Sequence, residues 1–249
     1  MTLDDKYTYP GSGGVLVNRY GIRDADRLDL ALNDYATAGW FHLRKQAAPE
    51  PPGFGYLQTI HREMFAPLLD WAGELRETDA QATGTGIAYA RPEYIPESLR
   101  SLFDKLQGED FLTGLDPAAF ADRLADRWGD LSAIHPFRDG NTRSQSAYVS
   151  SLAERAGHPI DWTAIDVPTL RNLRLVAVAG RHEPLAAYLR DHLVSPAGSV
   201  DPAWAAARLA GIDTPFKPGA PRSTAAGLDS FGTTTYRADP GVGRTGAGR

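Results

Sequence analysis

The chain has 249 residues, 42% of them hydrophobic, and a formal net charge of −5. This length supports one solid core, while the acidic balance argues against broad nucleic-acid binding, so no direct nucleic-acid contact is expected. The absence of cysteine excludes disulfides and thiolate zinc sites.

No apolar stretch approaches the roughly 20 residues that span a bilayer, so no membrane partner is expected. Met1-Thr2-Leu3-Asp4-Asp5 lacks the basic and apolar regions of a secretory leader, which predicts a cytoplasmic location.

In chain order, Leu28, Leu32, Tyr35 and Phe41 supply apolar contacts for a long helix predicted over 24–46, and a Pro-rich break follows over 46–55. Further helices are predicted over 54–68, 96–106, 117–135, 141–156, 167–179 and 183–193, so the fold class is mainly all-α. The run Gly84-Thr85-Gly86-Ile87-Ala88-Tyr89-Ala90-Arg91-Pro92 has glycines at the start of a short β-prone stretch and reads as a small β-hairpin. After Val194, Gly and Pro make up 15 of the last 55 residues. The expected organisation is therefore a domain over 1–194 and a flexible tail over 195–249, with at most a short helix at 202–209. The glycine-rich Gly241-Val242-Gly243-Arg244-Thr245-Gly246 has no helix after it and is not read as a nucleotide loop. His61, His158, His182 and His192 are expected to pack or to lie at the surface, and Trp162 to sit in the core.

The chemistry is concentrated in His135-Pro136-Phe137-Arg138-Asp139-Gly140-Asn141-Thr142-Arg143. Upstream, Asp116-Pro117 is a helix-start signal, and Phe120, Leu124, Trp128, Leu131 and Ile134 recur at helical spacing. Pro136 must stop that helix, which leaves His135 at the end of a buried element. Downstream, Asn141 is expected to cap a second helix, with Gly157 at its C′ position. The free amides and positive dipole end of the second helix make the loop an anion seat. Gly140 brings no side chain between anion and backbone, and Arg143 offers a fork of donors for phosphate oxygens. Asp139 is the hard oxygen ligand for magnesium, which bridges one or two carboxylates to substrate phosphates. His135 is the proton acceptor.

The nine residues fill every defined position of the pattern H-x-F-x-[D/E]-G-N-x-R, so the chain resembles the Fic (Fic/Doc) superfamily. Similarity extends over about 7–193, through Tyr9-Pro10, Asn18-Arg19-Tyr20-Gly21-Ile22, Ile60-His61-Arg62, Phe65 and Trp71-Ala72-Gly73-Glu74-Leu75-Arg76. The resemblance implies a Fic-type helical domain that transfers AMP from ATP to a Tyr, Thr or Ser hydroxyl of a target protein, with ATP as co-substrate and Mg2+ as cofactor. It implies His135 as base, Phe137 as core anchor, Asp139 as magnesium ligand, and Gly140, Asn141, Thr142, Arg143 and Ser146 at the nucleotide. Gly86, Ile87, Ala88 and Tyr89 would form a flap that holds the target by strand addition.

The family pattern usually carries a second arginine where this chain has Ser146, which weakens the expected grip on the terminal phosphate. No glutamate is followed by Gly or Asn, so the family's built-in inhibitory motif is absent. That resembles the class restrained by a separate small antitoxin supplying the inhibitory helix, and bacterial Fic toxins make a type II topoisomerase a candidate target. The alternative is a degenerate Fic fold that binds nucleotide or protein without efficient transfer, or an enzyme using another phosphate-containing donor.

Overall fold

The computed structural model describes residues 5–82 and 85–194; the predicted tail, its 202–209 helix and the 241–246 run lie outside them. The described residues form seven α-helices: α1 (Ala25–Leu43), α2 (Phe54–Phe65), α3 (Ile95–Gly108), α4 (Pro117–Ile134), α5 (Asn141–Arg155), α6 (Val167–Val178) and α7 (Glu183–Asp191). Among them no helix is long and apolar enough to cross a membrane.

Several helix ends follow directly from local chemistry. Asp24, Asp116 and Asp166 each accept backbone N–H groups from the first turn of α1, α4 and α6. Pro67 brings no N–H to continue α2, which stops at Phe65 and not at 68. Gly157, at φ +78°, closes α5: its N–H donates to Glu154 C=O at 3.1 Å and the His158 N–H to Ala153 C=O at 2.8 Å.

Helix α4 is the axis of the bundle, packed against α3, α5, α6 and α7, while α2 packs on α1 and α5. All five of its periodic apolar residues are buried, and Gly129 allows α6 to approach, since a Cβ there would lie 3.1 Å from Ala177 Cβ. Helix α5 is different. It buries Asn141, Arg143, Ser144, Gln145, Ser146 and Ser150 beside its apolar residues. A helix that takes so many polar groups inside needs partners for them, and it marks where the site lies.

The predicted hairpin over 84–92 is not confirmed. Among the described residues no strand forms there, and one isolated antiparallel bridge joins Gln81 to Ala88. The Ala82 N–H donates to Ile87 C=O at 2.8 Å and the Tyr89 N–H to Ala80 C=O at 3.0 Å, so the partner segment lies upstream of the glycines. Ala90 N–H then donates to Ala133 C=O of α4 at 2.9 Å, and a 3-10 turn at Pro92–Tyr94 follows.

Candidate active site

His135 caps α4 in the left-handed region, φ 48° and ψ 63°, and is 2% exposed. Its backbone N–H donates to Leu131 C=O at 3.1 Å, and its ring donates to the Ser132 carbonyl. Since Nε2 is buried with no partner, the ring hydrogen bond falls to Nδ1, and the Nε2 lone pair is the open position. Burial, with the Arg174 and Arg76 guanidinium groups, holds the imidazole well below its ordinary range. Tyr89 lies flat on this ring, with centroids 3.7 Å apart and planes 4° apart. The stacked phenol covers one face of the imidazole.

The turn after His135 is held from within and from α2. Phe137 is fully buried, with its ring centroid 3.9 Å from that of His61. Asn141 does not cap α5, contrary to the sequence expectation: Gly140 occupies that position, and no side chain caps the helix. The Asn141 side chain instead turns back on Phe137, accepting its N–H at 2.9 Å and donating to its C=O at 2.7 Å. A tight buried turn has backbone groups that water cannot reach, and Asn141 satisfies two of them. The first-turn amides of α5 are thus left without a side-chain cap. Gly140 is required twice over, by φ +74° and by Phe65, whose Cε2 would lie 2.3 Å from an added Cβ.

Arg143 is buried with Nε and Nη1 unpartnered, while Nη2 reaches Asp29 Oδ1 of α1 at 3.3 Å. Ser146, one helical turn further on, is also buried with a partnerless Oγ. Thr142 is half-buried beside them. Asp139 is buried and accepts the Gly140 N–H; burial pushes its carboxyl up, against the pull of Arg143, Gly140 and Arg138. Unpaired buried donors next to a helix N-terminus fit a polyanion, and a buried carboxylate beside them fits a cation. Among the described residues no three His, Asp or Glu converge as a metal cage. A cation at Asp139 would therefore share its shell with substrate oxygens and water, as magnesium does. Of the flap residues, Gly86 and Ala88 are exposed, Ile87 and Tyr89 half-buried, and only Tyr89 touches the motif.

Arg76 and Asp5 escaped the sequence reading, and His61 was read only as packing or surface. His61 is fully buried: it accepts the Gly73 N–H on Nδ1 at 2.9 Å, so Nε2 carries the proton toward the Asp139 carbonyl at 2.8 Å. Arg76, 2% exposed, donates to the carbonyls of His135 (2.7 Å), Thr78 (2.7 Å), Ile134 (3.2 Å) and Ala90. It clamps the negative end of α4 to the Tyr89 segment. The N-terminal segment contributes Asp5, whose Oδ2 meets Arg138 Nε at 3.0 Å. His158 and His192 hydrogen-bond to backbone carbonyls and His182 faces Asp122 and Asp126, so these three belong to packing.

Two buried neutral histidines make stability depend on pH. Burial holds His61 down to about 3, and His135 is also low. The unfolded chain protonates each near 6.5. Their folded values being depressed, their penalty is absent above about pH 6.5 and grows as pH falls through it, at about 1.4 kcal/mol per unit for each group. Asp139, raised in the fold, acts in the opposite sense at the acid end. Urea unfolding between pH 7.5 and 5 is expected to show this slope, and His61→Gln to reduce it by about half while lowering stability at pH 7. An unchanged slope would remove His61 from the account.

A model of the Fic/DOC family matches residues 54–152, the stretch that carries α2 through most of α5 and the whole motif turn. An Escherichia coli relative, "Probable protein adenylyltransferase Fic", is 33% identical over 65% of this chain and 78% of its own length. The chain belongs to the Fic/DOC family. "Protein adenylyltransferase VbhT" of Bartonella schoenbuchensis is 30% identical over 76% of this chain, although the match spans only 39% of that protein. Among solved structures, the BepC protein of Bartonella tribocorum with bound AMPPNP superposes with a TM-score of 0.72 at 26% identity, over 78% of this chain and 99% of that one. The helical Fic fold described above is thus shared along nearly its whole described length.

Proposed function

We propose that this Fic-family protein is a protein adenylyltransferase that moves AMP from ATP to a hydroxyl side chain of a target protein and releases pyrophosphate. The observation that carries this reading is the coincidence, on one turn, of a neutral base with an open Nε2 and an arginine with two unpaired buried donors. Relatives named protein adenylyltransferases and a superposable neighbour with bound AMPPNP support it.

In this reading the triphosphate lies over the α5 N-terminus, with Arg143 leaving Asp29 to bind it and Ser146 beside it. Magnesium at Asp139 would supply charge neutralisation for the phosphates. His135 Nε2 takes the hydroxyl proton as the hydroxyl oxygen bonds to the α-phosphorus and the bond to pyrophosphate breaks. The Tyr89 segment is displaced by the target, whose backbone pairs with the edge at 87–89. The domain runs over 1–194, and 195–249 is a separate tail. The target is a protein such as a type II topoisomerase, and a small antitoxin is the natural restraint on an enzyme without an inhibitory glutamate of its own. A cytoplasmic location suits both partners.

The test is incubation of the purified protein with magnesium, a lysate and ATP labelled at the α- or the γ-phosphate. Covalent capture of the α label alone is expected; capture of the γ label, or of neither, overturns the reading. Ser146 gives a second handle. Ser146→Arg adds a charge-assisted contact one turn from Arg143, on the order of 1.5–3 kcal/mol, and is expected to tighten ATP about tenfold to a hundredfold. Titration calorimetry with ATP and magnesium measures it, and unchanged affinity would place Ser146 away from the phosphates.

A further inference from the structure

Arg174, on α6, is 6% exposed and lies in the core, and its hydrogen-bond partners are neutral. Its Nη2 donates to Gln145 Oε1 at 2.7 Å and to Ser132 Oγ at 3.0 Å, and its Nε to Ser132 Oγ at 3.3 Å; its guanidinium lies 5.0 Å from the Trp128 ring centroid. Burial is unfavourable enough for this charge to bring its pKa down to about 10. A leucine or methionine would fill such a place with less cost to the fold, because replacing buried charge by apolar side chains is often neutral or stabilising.

What the network holds explains the residue. Ser132 Oγ donates to Gln145 Oε1 at 3.2 Å, and Gln145 Nε2 donates to the Leu131 carbonyl at 3.2 Å. Leu131 and Ser132 are the two residues whose carbonyls receive the main-chain N–H and the ring of His135. The hydrogen bonds of Arg174 therefore lead, directly or through Gln145, to the turn that orients the base.

We propose that Arg174 is a positioning residue for the transfer reaction: through Ser132 and Gln145 it fixes the last turn of α4 and the ring of His135. This rests on the adenylyltransferase reading. The groups facing His135 are Arg174 from α6, Arg76 from the segment after α2, and Tyr89 from the flap segment. A bound triphosphate, strongly negative, pulls the imidazole toward its protonated form, which cannot accept the hydroxyl proton. Two guanidinium groups behind the ring oppose that pull, and Arg76 is already committed to four backbone carbonyls. Arg174 is the one of the pair whose removal leaves the turn's own backbone hydrogen bonds in place.

The experiment compares wild type, Arg174→Met and Arg174→Lys by imidazole nitrogen NMR titration of His135, thermal melting, and steady-state transfer with varied ATP. Arg174→Met is expected to keep or raise the melting temperature and to move the His135 titration upward by about one unit. It should also lower kcat about tenfold at pH 7 with KM for ATP nearly unchanged. Arg174→Lys should return most of the titration shift. If Arg174→Met does not fold, Ser132→Ala decides: lower kcat with an unmoved titration is expected, since the charge stays while the link to the turn is lost. An unmoved His135 titration in folded Arg174→Met, or a raised KM at constant kcat, overturns the proposal. The NMR readout needs no transfer, so a wild type that transfers nothing defeats the adenylyltransferase reading separately.

Discussion

Replacing His135 by alanine is expected to lower AMP transfer by about 10²–10⁴ while leaving ATP affinity near that of the wild type. The asymmetry follows from the division of labour in the motif turn. The donors proposed for the phosphates belong to Arg143, Ser146 and the uncapped α5 N-terminus, whereas His135 offers a lone pair on Nε2. An α-label transfer assay beside an ATP titration separates the two properties. Retained transfer would mean that another group removes the hydroxyl proton. Lost ATP binding would mean that His135 builds the phosphate seat and does not act as the base.

The second large effect is expected at Arg76. Arg76→Met removes donors from four buried or half-buried carbonyls at once, those of His135, Ile134, Ala90 and Thr78. Leaving buried acceptors unpaired costs about 1–3 kcal/mol each. With partial relaxation, a loss of about 3–5 kcal/mol is expected, a large share of a domain's stability. Because the same side chain ties the Tyr89 segment to the end of α4, transfer by the folded fraction is expected to fall about tenfold or more. Arg76→Lys should recover only part of both, since one ammonium cannot reach so many carbonyls in a fixed fork. Chemical unfolding and transfer measured on the same preparations check it. A small loss of stability with full transfer would reduce the clamp to packing.

These two residues also show what could be read from the chain and what could not. The helix starts at Asp24 and Asp116 and the stop at Gly157 were legible because each is decided within one turn of backbone. The motif turn was legible because His135 to Arg143 are contiguous. Asn141 was misread as a cap because its amide chooses between two local partners, and burial of the turn decides in favour of Phe137.

Arg76 and His61 lie in segments that resemble the family, but their roles carried no local signal. His135 and Asp139, whose carbonyls they reach, lie 59 and 78 residues away in sequence, and nothing beside Arg76 or His61 in the chain says that a carbonyl waits there. The hairpin read over 84–92 is not confirmed, and the one bridge near it joins Gln81 to Ala88. Which segment meets 87–89 depends on where Arg76 and Ala133 anchor its two ends. Arg174 drew no reading from the sequence, and the structure places it inside, against Trp128.

If His135 is the base, one adenylyl group passes to a protein hydroxyl under its control. Peptide mass spectrometry of a lysate incubated with ATP, magnesium and either wild type or His135→Ala measures this most directly. Peptides bearing the mass of AMP on a Tyr, Thr or Ser side chain are expected, present with wild type and lost with His135→Ala. A modification carrying phosphate alone or another nucleotide, or adenylylated peptides equally abundant with both proteins, would contradict it.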